Sequence, residues 1–343
     1  MNRAGGLLVV GVAGLGLSAA ERRLLAALEP FGVILFARNV AERGQLAALV
    51  AEIRRAAPAT LLFVDAEGGR VDRLRRVAGA APAAAALAAA PPALARRAGR
   101  WLGGALRCFD LDATFAPVVD LDHSLAGNAL DGRTLGTRPR AVAARARAFL
   151  AGLHGAGAGG CLKHFPGLGG AAEDTHLQGS RVALGRDELE RDLAPFRALA
   201  PAAGAVMVAH AVYPGLDPSG RPASLSAAVA GRLLRGELGF TGAAFSDDLE
   251  MRALDRWGGL AERAEAALVA GCDALLVCSR LAEGPEVVAR LAGRRLAGRR
   301  RRALARLAGY RRHLSARRGG GRRFQLATVR RRLAGLTAAV SRG

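Results

Sequence analysis

The residues best suited to chemistry in this sequence lie in the stretch 161–178, where an apolar run ends in Lys163 and His164 and a loop rich in Gly and Ala carries Asp174 and His176. An imidazole with an ordinary pKa of about 6.5 can give and take a proton at neutral pH, and a nearby carboxylate can orient it. Lys163 is the only lysine among the 50 basic residues. The stretch predicts acid–base chemistry beside charged hydrogen-bond donors, while Asp-Thr-His on a Gly-rich loop is also typical of a solvated surface turn.

These residues need a scaffold, and the pattern of the chain predicts one. Apolar, β-branched runs bounded by Gly, Pro or Asp alternate with segments rich in Ala, Leu and Arg that have helical spacing. The predicted strands are 7–12, 32–38, 61–65, 113–119, 160–164, 205–210, 243–247 and 272–278. The predicted helices are 18–29, 41–57, 91–108, 139–157, 187–200, 224–237, 259–270 and 284–297, with 78–92 as a connector. Eight strand–helix repeats favour a (β/α)8 barrel of parallel strands.

Polar residues stand where five of the predicted strands end. They are Asp65, Asp120, the pair Lys163-His164, His210 and Asp247. In a barrel of parallel strands the reacting groups collect at the carboxyl-terminal rim, so these side chains are expected at one mouth. Each aspartate alone could be a helix cap, and His210 alone a hydrogen-bonded core group. Because strand neighbours point to opposite faces, only one of Asp247 and Asp248 is expected to face the mouth, with Asp248 as the cap.

The charge of the chain is concentrated in its last 53 residues. The formal net charge is +21, but residues 291–343 contain 17 arginines and no Asp or Glu, which leaves +4 for the first 290 residues. We therefore expect a barrel over residues 1–290 and a basic helical tail over residues 291–343. The tail has three interpretations: a helix packed under the barrel, a loose arm that binds polyanions, or a product of an arginine-rich composition.

The cysteines and the hydropathy pattern indicate in which cell compartment the protein is expected. The four cysteines lie in apolar contexts without a CxxC pair, which is typical of reduced thiols in a cytoplasmic protein. The N-terminal run 7–17 resembles a secretory signal, but its glycines and the need for a first strand favour a strand. The stretch 77–95 is interrupted by prolines, so no membrane span is expected.

A zinc hydrolase is an alternative class of enzyme. It is only a minor alternative, because the first predicted strand offers no metal ligand.

Nine segments, in order from residue 32 to residue 278, resemble the bacterial β-N-acetylhexosaminidases of glycoside hydrolase family 3. These are single-domain cytoplasmic enzymes that trim N-acetylglucosamine from cell-wall fragments. The segments are Gly32-Val-Ile-Leu-Phe-Ala-Arg-Asn39, Val64-Asp-Ala-Glu-Gly-Gly-Arg-Val71, Phe115-Ala-Pro-Val-Val-Asp120, Gly132-Arg133-Thr134, Lys163-His-Phe-Pro-Gly167, Asp174-Thr-His176, Met207-Val-Ala-His210, Phe245-Ser-Asp-Asp-Leu249 and Gly271-Cys-Asp-Ala-Leu-Leu-Val-Cys278. Leu168 stands where the family has a second histidine, and Ala66 where it commonly has Gln.

The resemblance implies a function and a site. It implies a retaining exo-β-N-acetylglucosaminidase acting on muropeptides, with Asp247 as nucleophile and His176, held by Asp174, as acid and base. It assigns sugar recognition to Asp65, Arg73, Arg133, Lys163 and His164. It places Arg70 and Glu67 in a supporting layer, although Glu67 could instead belong to an internal ion-pair network. We expect the protein to be a monomer whose partner is a small-molecule substrate. No cofactor, metal or specific nucleic acid is expected.

Other functions remain open at this point. Within the same fold, phosphate could take the glycosyl group instead of water, because a histidine acid/base does not repel that anion. The family also includes β-glycosidases of other sugar specificity. A non-catalytic barrel that binds anionic polymers through its arginine-rich tail is an alternative of a different class.

Overall fold

The computed structural model describes residues 4–125, 129–171, 180–318 and 324–341. Eight parallel strands form one sheet: β1 (Leu8–Gly11), β2 (Gly32–Leu35), β3 (Leu61–Val64), β4 (Ala113–Thr114), β5 (Leu162–Phe165), β6 (Ala205–Val208), β7 (Ala243–Asp248) and β8 (Ala274–Val277). Their spatial order is β4-β3-β2-β1-β8-β7-β6-β5. Parallel bridges from Ala113 to Gly159 and from Val118 to Lys163 connect β4 to β5. The predicted (β/α)8 barrel is confirmed and each predicted strand is present, but the strand predicted over 113–119 covers only Ala113–Thr114.

Helices follow the strands as the spacing predicts. The longer ones are Ala19–Leu28, Arg43–Ala56, Pro92–Cys108, Pro139–Gly155, Arg186–Leu199, the π-helical Ala227–Glu237, Leu260–Ala270, Gly284–Leu291, Ala297–Arg318 and Leu326–Val340. The connector at 78–92 contains the short helix Ala84–Ala88, and the next helix begins at Pro92, where a proline fits the first turn. The helix predicted over 284–297 is shorter than expected because it ends at Leu291, before Gly293.

Aromatic rings fill the barrel beneath the mouth. Phe63 stacks on Phe115 with 5.2 Å between ring centroids, and Phe245 meets both rings edge-on at 5.6 and 5.4 Å. All three side chains are buried. Offset and edge-on ring pairs of this kind add to the free energy of simple apolar burial. The interior is therefore a packed core, and the polar strand ends are left at the rim.

The arginine-rich tail is a packed helix where the structure describes it. Helix Ala297–Arg318 buries Leu307, Tyr310 and Leu314, and the ring of Tyr310 lies 5.9 Å from that of Phe245 at the amino-terminal end of the barrel. Arg306 pairs with the buried Asp273 at 3.1 Å. Of the three interpretations of the tail, the helix under the barrel is the one observed over these residues.

Two further expectations concern cysteines and membranes. All four cysteines are free thiols; Cys161, Cys272 and Cys278 are buried and Cys108 is half-buried. Within the described ranges, none of the helices combines the length and the apolar character that a membrane crossing requires.

Candidate active site

A cavity of about 370 Å³ opens among the carboxyl ends of the strands. Its polar lining includes six of the eight residues that the sequence predicts for the site: Asp65, Arg73, Arg133, Lys163, His164 and Asp247. Apolar side chains of Phe115, Met207 and Leu276 complete the wall. Asp174 and His176 lie outside the described residues. The barrel thus brings together side chains up to 182 positions apart in the chain, because all of them follow strands that end at the same rim.

Lys163 lies on β5 and reaches across the cavity to two carboxylates. Its Nζ donates to Asp65 Oδ1 at 3.1 Å and to Glu67 Oε1 at 2.6 Å. Burial alone would lower the pKa of Lys163, but the negative charges of Asp65 and Glu67 raise that pKa above its ordinary value. The ammonium therefore stays charged at neutral pH although only 4% of its side chain is exposed.

Glu67 accepts from a second cation, Arg133. The guanidinium binds the carboxylate through two parallel hydrogen bonds, Nη2 to Oε1 at 2.7 Å and Nε to Oε2 at 2.8 Å. Burial works to raise the pKa of Glu67, but the charges of Lys163 and Arg133 outweigh it and lower that pKa to about 2. Glu67 follows β3 in a short hairpin, Ala66–Gly68 with Val71–Asp72. Of the two interpretations that the sequence left for Glu67, the ion-pair network is present, and it lies in the cavity wall.

Replacing Glu67 with Gln should destabilise the fold strongly. The substitution removes the carboxylate charge that both Lys163 and Arg133 bind, and breaking a buried pair costs about 3–5 kcal/mol. We expect a loss of this size in the free energy of unfolding, measured by urea denaturation near neutral pH. Since the pKa of Glu67 is depressed when folded, its contribution is present above about pH 4.5 and is lost as the pH falls towards about 2. The difference between variant and wild type should shrink over that interval.

Glu190→Gln is the matched control for this measurement. Glu190 pairs with Arg197 on a helix surface where both side chains are about half exposed. Exposed pairs contribute about 0–1 kcal/mol. A Glu67→Gln variant as stable as the Glu190→Gln variant would contradict a structural role for the Glu67 network.

A buried aspartate after β4 fixes His164 in one orientation. Asp120 accepts from the backbone N–H of His164 at 3.0 Å and from its Nδ1 at 2.7 Å. The same carboxylate accepts from the backbone N–H of Leu168 at 2.8 Å. Because Nδ1 donates to Asp120, the Nε2 atom is the one that His164 offers to a ligand. The position of Asp120 at a predicted strand end indicates that it lies at the rim. Only the structure shows that it is the partner of His164.

Asp247 and Asp248 both line the cavity, so the expectation that only one of them would face it is wrong. The register between β7 and β8 shifts between Ala274 and Leu276, which pair with Phe245 and Asp248. This bulge adds one residue to β7 and breaks the alternation of its side chains. Asp248 Oδ1 also accepts from Glu250 N at 3.1 Å, as expected of a capping residue. Burial, and after it the charges of Glu250 and Asp247, raise the pKa of Asp248 to about 7.

His210 is hydrogen-bonded to the backbone at this end of β7. Its Nε2 donates to the carbonyl oxygen of Asp248 at 2.8 Å, and the Ser224 hydroxyl donates to its Nδ1 at 2.7 Å. Burial lowers the pKa of His210, which keeps the ring neutral. The structure thus favours the interpretation of His210 as a hydrogen-bonded core group.

Arg70 and Arg73, which both follow β3, differ in the hydrogen bonds that their guanidinium groups donate. Arg70 donates to the carbonyl oxygens of Asp131 and Ala129 at 2.9 and 2.5 Å, so it braces the loop that carries Arg133. Arg73 has a buried Nε without a hydrogen-bond partner among the described residues, and it lines the cavity. A buried donor without a partner costs free energy, which a ligand oxygen at Arg73 would recover. In the described parts of the chain, no three His, Cys, Asp or Glu side chains are grouped so as to hold a metal ion.

Comparisons with known proteins agree with this architecture. The model of the glycosyl hydrolase family 3 N-terminal domain matches residues 2–297. The β-hexosaminidase of Pseudomonas aeruginosa strain LESB58 is 42% identical over 289 residues, which cover 83% of this chain and 86% of the relative. A family 3 β-N-acetylglucosaminidase structure from Paenibacillus sp. FPU-7 is similar with a TM-score of 0.89 and 33% identity, over 98% of this chain and 67% of that one.

A second solved structure carries a ligand. NagZ from Neisseria gonorrhoeae in complex with N-trifluoroacetyl-D-glucosamine is similar with a TM-score of 0.75 and 34% identity, over 92% of this chain and 98% of that one. The match to the family model and the identity to the Pseudomonas relative both extend over most of the chain. The chain therefore belongs to glycosyl hydrolase family 3.

Proposed function

We propose that this family 3 protein, a β-N-acetylhexosaminidase, is a retaining exo-enzyme that removes terminal non-reducing N-acetylglucosamine from muropeptides during cell-wall recycling. One observation carries the proposal. A carboxylate, Asp247, shares the wall of a cavity of about 370 Å³ with the charged hydrogen-bond donors Lys163, Arg133 and Arg73. That volume is at the small end of the range for small-molecule sites, as binding of one terminal sugar ring requires.

The reaction has two steps with the roles that the family resemblance assigns. In the first, an Asp247 carboxylate oxygen attacks the anomeric carbon while His176 protonates the departing glycosidic oxygen, which leaves the sugar bonded to Asp247. In the second, His176 takes a proton from water, and the water oxygen displaces Asp247 from the anomeric carbon. Asp174 orients the imidazole and stabilises its charged form. Two inversions at the anomeric carbon give overall retention.

The binding roles follow from the hydrogen bonds that remain available. Asp65 can accept from sugar hydroxyls while it holds Lys163, and His164 presents Nε2. Charged groups make stronger hydrogen bonds to hydroxyls than neutral ones do. The Glu67 network fixes Lys163 and Arg133 before the sugar arrives, so less conformational entropy is lost on binding.

The relatives support the sugar specificity. The Pseudomonas relative is named a β-hexosaminidase, and the Neisseria structure holds an N-acylated glucosamine. The free thiols in the structure support a cytoplasmic site of action, where cysteines stay reduced.

A panel of aryl β-glycosides tests the specificity. We expect kcat/KM for the N-acetylglucosaminide to exceed those for the glucoside and the xyloside by at least about 10²-fold, because a site that hydrogen-bonds an amide rejects analogues without it. Equal rates on all three would contradict the proposal. Product analysis in phosphate buffer belongs to the same experiment: free N-acetylglucosamine is expected, and N-acetylglucosamine 1-phosphate would indicate phosphorolysis.

A further inference from the structure

The segment 166–171 leads into the stretch that carries Asp174 and His176, and the barrel holds this segment at several points. Tyr213 donates its hydroxyl hydrogen to the carbonyl oxygen of Gly167 at 2.8 Å. The backbone N–H of Leu168 donates to Asp120 at 2.8 Å. The Leu168 side chain is buried at 4% exposure, so this residue anchors the segment in the core although it differs from the family histidine.

An ion pair outside the cavity lies against the same segment. His123, in the loop after β4, donates from Nε2 to Asp192 Oδ1 at 2.8 Å. The Asp192 side chain is fully buried, while 21% of the His123 side chain is exposed. Asp192 belongs to helix Arg186–Leu199, the first helix after the stretch with His176. The pair therefore links elements on both sides of that stretch in sequence.

The contact with the segment is tight because two glycines allow it. A Cβ atom on Gly167 would lie 2.7 Å from the Asp192 Cβ, and one on Gly169 would lie 2.8 Å from the His123 Cδ2. Gly167 also has a φ of +130°, which disfavours other residues. With no side chain between them, the backbone of 167–169 rests directly on the imidazole and the carboxyl group. The pair and this backbone segment are therefore in direct contact, and the pair limits the positions that the segment can take.

The charge state of His123 favours the pair near neutral pH. The hydrogen bond that His123 donates to Asp192 raises the pKa of His123, against the effect of burial. Glu188 adds to this rise in the pKa of His123, and Arg191 opposes it. Asp120 also faces Asp192. Burial raises the pKa of Asp192 as well, so the charged pair is present between the raised pKa of Asp192 and the raised pKa of His123, and it is lost as the pH rises through the latter.

We propose that His123 and Asp192 are positioning residues for acid catalysis: their pair fixes where the chain enters the stretch with His176, and so sets the reach of His176 to the glycosidic oxygen. This inference rests on the proposed function, in which His176 is the acid. A small displacement of a catalytic group can cost about 10²-fold in rate. Neither residue lines the cavity, so binding of the sugar itself should not depend on them.

A leaving-group comparison tests the proposal. Protonation by His176 matters for phenyl N-acetyl-β-glucosaminide, whose leaving group is poor, and hardly matters for the 2,4-dinitrophenyl glycoside. For His123→Ala and Asp192→Ala we expect kcat/KM to fall about 10- to 100-fold with the phenyl substrate and less than about 3-fold with the dinitrophenyl substrate. In His123→Gln the amide can still donate to Asp192, and most of the rate should return. His154→Gln, a half-buried histidine outside the cavity and the segment, is the control.

Each outcome decides between the two proposals. If His123→Ala and Asp192→Ala slow both substrates equally, or neither, the positioning role is wrong. Thermal unfolding of each variant sets an assay temperature at which it is folded, so a uniform loss at that temperature counts against the positioning role. His176→Ala is the reference, since it must slow the phenyl substrate selectively. If His176→Ala shows no selectivity, the proposed function fails; if it does and the pair variants do not, only the positioning role fails.

Discussion

Asp247→Ala should lower kcat/KM for an aryl N-acetyl-β-glucosaminide by about 10⁴-fold or more, which corresponds to about 5 kcal/mol of transition-state stabilisation. In the proposed mechanism the substitution removes the atom that bonds to the anomeric carbon, so the covalent step is lost. The cavity wall should otherwise persist, because Lys163, Arg133 and Glu67 hold one another without Asp247. Affinity for N-acetylglucosamine, measured by calorimetry, is therefore expected to change little.

Azide identifies the role of Asp247 directly. In Asp247→Ala the anion can enter the space of the missing carboxylate and attack the anomeric carbon of a 2,4-dinitrophenyl glycoside, which yields the α-glycosyl azide. Asp248→Asn is the matched control, since it alters the neighbouring carboxyl group and should form no azide product. Full turnover by Asp247→Ala would mean that another group, such as the substrate's own acetamide, is the nucleophile.

His176→Ala should produce the second-largest loss, with a different signature. General acid catalysis contributes about 10²- to 10⁴-fold, and we expect kcat/KM for the phenyl substrate to fall by this amount. The dinitrophenyl substrate should still form the glycosyl-enzyme quickly, because its leaving group needs no proton. The second step then lacks its base, so the covalent intermediate should accumulate and be visible by mass spectrometry of the intact protein.

The pH profile and the product formed with azide also test the role of His176. The descending limb of the pH profile of kcat/KM should disappear in the variant, since the group that must be protonated is gone. Azide should restore turnover and give the β-glycosyl azide, because it attacks the covalent intermediate on Asp247. An α product, or an unchanged pH profile, would assign the acid/base role to another residue.

The elements of the barrel were predictable because their signals are local. β-branched runs, Gly and Pro boundaries and helical spacing identify each strand and helix from its own residues, and a parallel sheet then places every strand end at one rim. That reasoning predicts Asp65, Lys163, His164 and Asp247 at one rim, and in the structure all four line one cavity. The roles of Asp247, Asp174 and His176 came instead from the family resemblance, and they remain predictions.

Patterns along the chain are enough to predict the fold and the rim, whereas the pairing of side chains is visible only in the folded protein. A bulge in β7 turns both Asp247 and Asp248 towards the cavity, although strand alternation predicts one. Glu67 binds two cations that are 66 and 96 residues away in the chain, and His123 meets Asp192 across 69 residues. Such pairings depend on distances of about 3 Å between side chains from separate elements, and a pattern along the chain contains no measure of those distances.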